Sequence, residues 1–298
     1  MSFARFWCSC STQDPKTSLG MLRRSWSRFA LRTTAAKLAP LRDEDLKVTQ
    51  FLKNSAPAGS GHWDATAVGM TTGLVHAGVQ PDPVTGAILT PIYQSTTFVQ
   101  ESIDKYCARG FSYTRSANPT CAALQEKIAA SENGAGAHIF NTGMAACCTI
   151  ISTFMSAGDH AVVTNCSYGG TNRAMRVMFT RFGMEFTFVD MTDVKNIEAA
   201  LKPNTKLIFS ETPANPTLTL TPLRAVSDLA HAKGLLHVCD TTFATPVITR
   251  SLDYGVDVVL QSTTKYFDGH NITAARTEVF TPAMMSASRK KSELHQRK

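Results

Sequence analysis

The sequence predicts an α/β fold in which a mostly parallel sheet is sandwiched by helices. From residue 135 onward, short apolar runs alternate with stretches of helical periodicity. Strands that are separated by crossover helices pair in parallel. Polar, small or aromatic residues follow five of the apolar runs, and ligands gather at the carboxyl ends of parallel strands. We therefore expect one binding site along that edge of the sheet.

The predicted elements begin with an extended arm and a helix in residues 67–134. Turn-forming residues dominate the arm from Thr71, and a helix is predicted over 120–132 because Leu124 and Ile128 share one face. Residues 135–273 form the main domain. Its predicted strands are 137–140, 161–164, 185–189, 206–210, 235–239 and 256–260. Its predicted helices are 143–157, 171–182, 193–201 and 222–233.

The two ends of the chain are basic, whereas its middle is slightly acidic. The net charge of +7 arises from seven basic groups against one acid in residues 1–40 and five against one in residues 289–298. Residues 41–288 therefore carry a net charge of −3. This distribution argues against a nucleic-acid-binding protein. Residues 274–298 are predicted to be a basic tail.

Residues 1–40 have the composition of an organellar transit peptide. They are rich in Arg, Ser and Ala, with Leu19, Leu22 and Phe29 on one helical face. We favour mitochondrial import; a plastid or cytoplasmic protein, or a disordered basic arm, is the alternative. Residues 41–66 are polar and typical of a linker. No apolar run approaches the ~18–20 residues that span a bilayer, so no membrane association is expected.

The cysteines and histidines predict no metal site. The eight cysteines form no C-x-x-C pair and several lie in apolar runs, which indicates reduced, buried thiols. His231, His237 and Cys239 lie close together in the sequence, but their spacing matches no zinc pattern. Packing in the core is the preferred interpretation of these three residues.

Lys265 is the most unusual residue at the predicted binding edge. It follows the apolar run 256–260, at a strand end where burial normally desolvates an ammonium group. A lysine amine can form a Schiff base with an aldehyde, and the hydroxyls of Ser262 and Thr264 can hydrogen-bond a phosphate. The alternative is a surface lysine in a polar loop.

Further candidate residues follow the other apolar runs. Gly143 and Met144 open a helix directly after a strand, so their backbone N–H groups can bind an anion. Asp240 ends a buried run, where a carboxylate needs a cationic partner. Tyr168 can stack on a flat ring, and Asn215 can aim a side-chain amide. Ordinary packing, capping or loop chemistry is the alternative for each.

Six ordered motifs in residues 70–273 occur together. They are Tyr113-x-Arg115-x-x-Asn118-Pro-Thr120, Thr142-Gly-Met-Ala-Ala146, Tyr168-Gly-Gly-Thr171, Glu211-Thr-Pro-x-Asn215-Pro-Thr217, Asp240-x-Thr-Phe243 and Ser262-x-Thr-Lys265-Tyr. In this order they resemble the Cys/Met-metabolism (trans-sulfuration) family of fold-type-I pyridoxal phosphate enzymes, which includes cystathionine γ-synthase, γ-lyase and β-lyase. The resemblance implies pyridoxal 5'-phosphate as cofactor and the large domain of a fold-type-I transferase.

The resemblance also implies a role for each matching residue. Lys265 is implied to be the Schiff-base lysine that later moves protons. Tyr168 is implied to stack on the cofactor and to act in acid–base catalysis. Asp240 is implied to pair with the pyridine nitrogen, and Asn215 to donate to the ring hydroxyl.

Two further groups bind the phosphate in the family. The residues that match its phosphate cradle are Gly143, Met144, Ser262 and Thr264. Tyr113 and Arg115 match residues that reach into a neighbouring subunit's site and hold its phosphate. The resemblance therefore implies a homodimer or homotetramer with shared active sites.

The sequence departs from the family pattern after the lysine motif. In the family, a glycine-rich strand and a substantial C-terminal domain follow, and that domain carries the arginine that binds the substrate carboxylate. Residues 273–280 are not rich in glycine, so the C-terminal small domain is expected to be missing. Arg276, Arg289 and Arg297 lie in no matching motif, and none is assigned that role.

The resemblance implies elimination or γ-replacement on a sulfur amino acid or an O-acylhomoserine, as in cystathionine γ-synthase or γ-lyase. The motif at 168–171 lacks the cysteine that methionine γ-lyases often carry, which disfavours that activity. Synthase and γ-lyase are not separated by the sequence. The alternative is an impaired fragment that binds the cofactor or assembles with full-length paralogues.

Overall fold

A computed structural model describes residues 69–82, 84–105, 110–270 and 276–280, the last of these by their backbone only. The predicted transit peptide and linker, and most of the predicted tail, lie outside the described residues. None of the described helices is both long enough and apolar enough to cross a membrane.

A seven-stranded sheet forms the centre of the fold, in the order β1-β7-β6-β5-β4-β2-β3. The strands are β1 Gly136–Phe140, β2 His160–Thr164, β3 Glu185–Val189, β4 Thr205–Glu211, β5 Leu236–Asp240, β6 Val258–Gln261 and β7 Arg276–Phe280. The neighbours from β3 to β6 pair in parallel, and β7 runs antiparallel to both β1 and β6. The prediction of an α/β fold with a mostly parallel sheet is confirmed.

Helices connect the strands as predicted, with one interruption. The α-helices are α1 Met70–His76, α2 Pro119–Ser131, α3 Gly143–Phe154, α4 Gly169–Arg173, α5 Val194–Ala200, α6 Leu223–Ala232 and α7 Thr245–Ile248. The single helix predicted over 171–182 is divided, since α4 continues as a π-helical turn and then a 3₁₀ turn. The 3₁₀ turn ends at Gly183, whose φ of 78° is a left-handed conformation that glycine adopts without a steric penalty.

The two faces of the sheet bury separate apolar clusters because successive side chains of a strand point in opposite directions. Ala161 and Val163 of β2 pack with residues of α3 on one face. Val162, between them, packs on the other face with Ile197 of α5 and Val226 of α6. Helices therefore cover both faces, and the ligand edge lies at the strand ends.

Strand β7 corrects the predicted boundary of the tail. Residues 276–280 were assigned to the tail, yet Arg276–Phe280 pair with β1 on one side and β6 on the other. The assignment rested on the absence of a glycine-rich strand after the lysine motif, yet Thr277, Val279 and Phe280 are residues that fit a strand. Pairing on both sides satisfies the backbone groups of the segment, which outweighs its polar composition.

Candidate functional site

A cavity of about 620 Å³ lies at the carboxyl ends of the parallel strands. Its walls come from the segments that follow β1, β2, β4, β5 and β6. The sequence-predicted residues that line it are Gly143, Met144, Tyr168, Asn215, Asp240, Ser262, Thr264 and Lys265. They are brought together because parallel strands end at one edge of the sheet.

The start of α3 supplies backbone donors to the cavity. The Thr142 hydroxyl oxygen accepts a hydrogen bond from the Ala145 N–H at 3.1 Å and caps the helix. The first N–H groups of a helix have no acceptor within it, and the helix dipole adds partial positive charge there. Ser262 and Thr264, two hydroxyl-bearing residues, line the same cavity. This set of donors is suited to a phosphate.

Asp240 ends β5 and is buried, with 3% of its surface exposed. Its Oδ1 accepts hydrogen bonds from the Thr242 N–H at 3.0 Å and the Thr242 hydroxyl at 2.6 Å. The Thr242 hydroxyl oxygen in turn accepts from the Ser262 N–H at 2.9 Å. Asp240 thus caps the segment that follows it, which was the alternative interpretation of this residue. It also lines the cavity, where a carboxylate suits a cationic partner.

Glu211 organises the part of the cavity that carries Tyr168 and Asn215. This carboxylate ends β4 and is 4% exposed. Its Oε2 accepts from the Tyr168 N–H at 2.7 Å, and its Oε1 accepts from the Asn215 N–H at 2.9 Å. The sequence motifs predicted no role for Glu211. Its signal was the same as that of Asp240, an acidic residue that ends a buried strand.

The ring of Tyr168 lies against a glycine. A Cβ atom added to Gly170 would lie 2.5 Å from the Tyr168 ring and 2.8 Å from Met144 Sδ. The Tyr168 side chain is about half exposed, at 47%. Gly170 therefore leaves the room that this ring occupies, and the ring has a face available to a ligand.

Lys265 lies in a turn, Thr263–Phe267, directly after β6. Its N–H donates to the Ser262 carbonyl at 3.1 Å, and its own carbonyl accepts from the Gly269 N–H at 2.8 Å. The side chain lines the cavity and is exposed. The expectation that burial desolvates this amine is wrong, because the turn carries Lys265 beyond the buried end of the strand.

Tyr113 and Arg115 do not line this cavity. Both side chains are exposed, and the Arg115 guanidinium carbon lies 5.2 Å from the centre of the Tyr113 ring. Their implied role in a neighbouring subunit's site remains a prediction.

His237 and Cys239 belong to the core. The His237 ring nitrogens lie 2.8 Å from the hydroxyls of Ser210 and Ser227, and burial lowers the pKa of His237 to about 3. Burial raises the pKa of the Cys239 thiol to about 12. His231 instead contacts Asp257 at 3.2 Å. Among the residues with a described placement, no three His, Cys, Asp or Glu side chains are grouped to hold a metal ion.

The chain is similar to known proteins over most of its described length. The model of the family described as "Cys/Met metabolism PLP-dependent enzyme" matches residues 71–284, a range that includes β7. Cystathionine beta-lyase MetC of Bacillus subtilis is 47% identical over 202 residues, which are 68% of this chain and 51% of that protein.

Solved structures show the same fold. The crystal structure of metB from Corynebacterium glutamicum matches with a TM-score of 0.73 at 41% identity, over 75% of this chain and 58% of that one. Cystathionine gamma-lyase from Lactobacillus plantarum, complexed with L-serine, matches with a TM-score of 0.70 at 40% identity, over 74% and 57% of the two chains. The chain thus spans little more than half the length of these proteins.

Proposed function

This chain belongs to the Cys/Met-metabolism family of pyridoxal-phosphate-dependent enzymes, and we propose that it binds this cofactor at the strand ends and acts in trans-sulfuration. The proposed reaction is elimination or γ-replacement on a sulfur amino acid or an O-acylhomoserine. One observation carries the proposal: a single cavity combines a lysine amine, a buried carboxylate, an aromatic ring and two hydroxyls.

The residues of the cavity fit the cofactor group by group. The donors at the start of α3 and the hydroxyls of Ser262 and Thr264 suit its phosphate. Asp240 suits a protonated ring nitrogen, since a buried carboxylate is stabilised by a cation. The Asn215 amide can donate to the ring hydroxyl, and Lys265 can hold the aldehyde carbon through its amine.

When bound, pyridoxal phosphate supplies an electron-withdrawing ring that makes the C–H bond at the α-carbon of an attached amino acid more acidic. The Lys265 amine would accept that proton and return it at a neighbouring carbon. Tyr168, which lines the same cavity, would orient the ring through its aromatic face. Asp240 would hold the protonated ring nitrogen through its carboxylate.

A cofactor titration of the full chain tests the proposal. Pyridoxal phosphate should produce a visible absorbance band, and borohydride reduction should fix its mass to Lys265. Lys265→Ala should lose both signals, whereas Lys206→Ala, which removes an exposed lysine of β4, should keep them. A wild-type chain that shows neither signal contradicts the proposal.

Turnover is measured separately: release of a 2-oxo acid from cystathionine reports elimination, and release of the acyl group's carboxylic acid from an O-acylhomoserine in the presence of a thiol reports γ-replacement. Product formation supports the enzyme. Cofactor attachment without product supports the alternative of an impaired fragment that binds the cofactor or assembles with longer paralogues.

We also propose that the active form is a homodimer or homotetramer in which Tyr113 and Arg115 complete a neighbouring site. The exposure of both side chains, away from the cavity of their own chain, supports this proposal. Subunits carrying Arg115→Ala and subunits carrying Lys265→Ala should each be inactive, and mixing them should restore part of the activity. No recovery on mixing contradicts shared sites.

Mitochondrial import is proposed for residues 1–40 on the basis of their composition. The full chain fused to a fluorescent protein should enter mitochondria, and a fusion that lacks residues 1–40 should not. Plastid or cytoplasmic fluorescence from the full chain contradicts this destination.

A further inference from the structure

Two buried polar side chains, Glu132 and Gln261, lie behind the cavity and do not line it. Gln261 Nε2 donates hydrogen bonds to Glu132 Oε1 at 2.8 Å and to the Thr241 hydroxyl oxygen at 2.6 Å. We propose that Glu132 and Gln261 are positioning residues that hold the carboxyl ends of β5 and β6 in the arrangement that cofactor binding needs. This inference rests on the proposed function.

The hydrogen-bonded residues adjoin the cavity residues in the chain. Thr241 directly follows Asp240, and Gln261 directly precedes Ser262. Neighbouring residues of an extended chain point to opposite sides. On the cavity side, the Ser262 N–H donates to the Thr242 hydroxyl, which donates to Asp240. Side chains therefore connect the two strand ends on the cavity side, through Thr242, and on the opposite side, through Gln261.

Glu132 links Gln261 to the end of α2. It follows Ser131, the last residue of the helix, and its backbone N–H donates to the carbonyls of Ile128 and Ala129 at 3.2 Å. These backbone hydrogen bonds hold the Cα atom of Glu132 in place, and its side chain extends from that fixed position. Its hydrogen bond to Gln261 thereby fixes the end of β6 relative to α2, although the two residues lie 129 positions apart in the chain.

The pair contains a desolvated carboxyl group and an unpartnered polar atom, which favours a role in orientation over one in stability. Among the described residues, no hydrogen-bond partner exists for the buried Gln261 Oε1. Burial raises the pKa of Glu132 to about 7, although Gln261, the Ser251 backbone and Arg250 act in the opposite direction. Buried polar groups of this kind are often replaced by apolar ones without loss of stability. Apolar side chains would fill the space but would not fix the direction of Gln261.

Three variants test the role of the pair in the full chain. Glu132→Ala and Gln261→Ala remove the connection, whereas Glu132→Gln retains an acceptor oxygen of the same shape. Ser227→Ala is the matched control, since it removes one buried hydrogen bond to His237 away from the cavity.

The first readout is the dissociation constant for pyridoxal phosphate, measured at a temperature where every variant is folded. We expect about tenfold weaker binding in both alanine variants, and a change of no more than about twofold in Glu132→Gln and Ser227→Ala. If the pair were merely structural, its alanine variants would have a lower melting temperature, as is expected for Ser227→Ala, and an unchanged dissociation constant. That result overturns the inference.

The second readout does not depend on the cofactor. Hydrogen exchange at the Thr241 and Ser262 amides should be faster in the two alanine variants than in the wild type, Glu132→Gln or Ser227→Ala. If the wild type fails to bind pyridoxal phosphate, the proposed function fails, and this measurement alone decides the positioning role. Equal exchange in all five proteins rejects the positioning role.

Discussion

Glu211 connects two loops that carry groups of the cofactor site. Each of its carboxylate oxygens accepts one backbone N–H, from Tyr168 and from Asn215. The motifs around Tyr168 and Asn215 were sufficient to predict both residues, because their side chains have a recognisable chemistry. The role of Glu211 was not predictable in the same way, since its partner Tyr168 lies 43 residues away and is bound through the backbone.

Replacing Glu211 with Gln should weaken cofactor binding. The amide keeps one acceptor oxygen but turns an NH₂ group toward the second N–H, so one of the two loops loses its hydrogen bond. A buried group left without its partner costs ~1–3 kcal/mol, so we expect roughly tenfold weaker binding of pyridoxal phosphate in a titration. Glu198→Gln, which alters an exposed carboxylate near Lys233, is the control. Equal affinities in the two variants contradict the prediction.

Gly170→Ala should displace the Tyr168 ring. The added methyl group would lie 2.5 Å from that ring, and the ring can move because it is half exposed. We expect a melting temperature near that of the wild type together with several-fold weaker cofactor binding, since the ring loses its stacking position. Gly169→Ala is the matched control, because its added Cβ atom meets nothing within 4 Å. If both variants bind the cofactor equally well, the steric argument fails.

At the level of whole elements, strand β7 shows where local sequence was insufficient. The periodicity of the chain predicted β1 to β6 within a few residues of their observed bounds, because each is a short apolar run. Arg276–Phe280 is not such a run, because it includes Arg276, Thr277 and Glu278. Its pairing with Gly136–Phe140 and Val258–Gln261 joins β1 to the rest of the sheet, and pairing at this distance is not a local property.

Thr277→Pro tests whether β7 is an integral strand. Proline has no N–H group, and β7 has a hydrogen-bonded strand on both sides, so a ladder bond is lost whichever neighbour accepted it. We expect the free energy of unfolding in urea to fall by ~1–3 kcal/mol. Thr277→Ala retains the N–H, so its free energy of unfolding should fall by less. A proline variant as stable as the alanine variant would mean that the strand does not contribute to the sheet.

For the molecule as a whole, stability depends on buried titratable groups that lie outside the site. His237 is kept neutral by burial, which lowers its pKa to about 3. Burial raises the pKa of Glu132 from 4.5 to about 7, which favours its protonated form. Both groups bind protons differently in the folded and unfolded chains, so both make the free energy of unfolding depend on pH.

Glu132→Gln should make stability less dependent on pH. Between pH 4.5 and about 7 the folded protein keeps the Glu132 proton, whereas the unfolded chain releases it. The contribution of Glu132 to stability therefore falls as pH rises through this window, and glutamine does not titrate. Relative to the variant, the free energy of unfolding of the wild type should fall by on the order of 3 kcal/mol across this pH window. Urea unfolding at several pH values measures this difference, and parallel curves contradict it.

The sequence by itself determined the β/α order, the parallel pairing and most of the candidate residues that line the cavity, because periodicity and side-chain type are local properties. It placed Lys265 after a strand and left open whether this residue was buried or lay in a surface loop, as it does. Only the tertiary structure decided that β7 lies within the sheet, that Glu211 connects the segments of Tyr168 and Asn215, and that Glu132 is hydrogen-bonded to Gln261. Those contacts join segments far apart in the chain, where burial and backbone hydrogen bonding determine the structure.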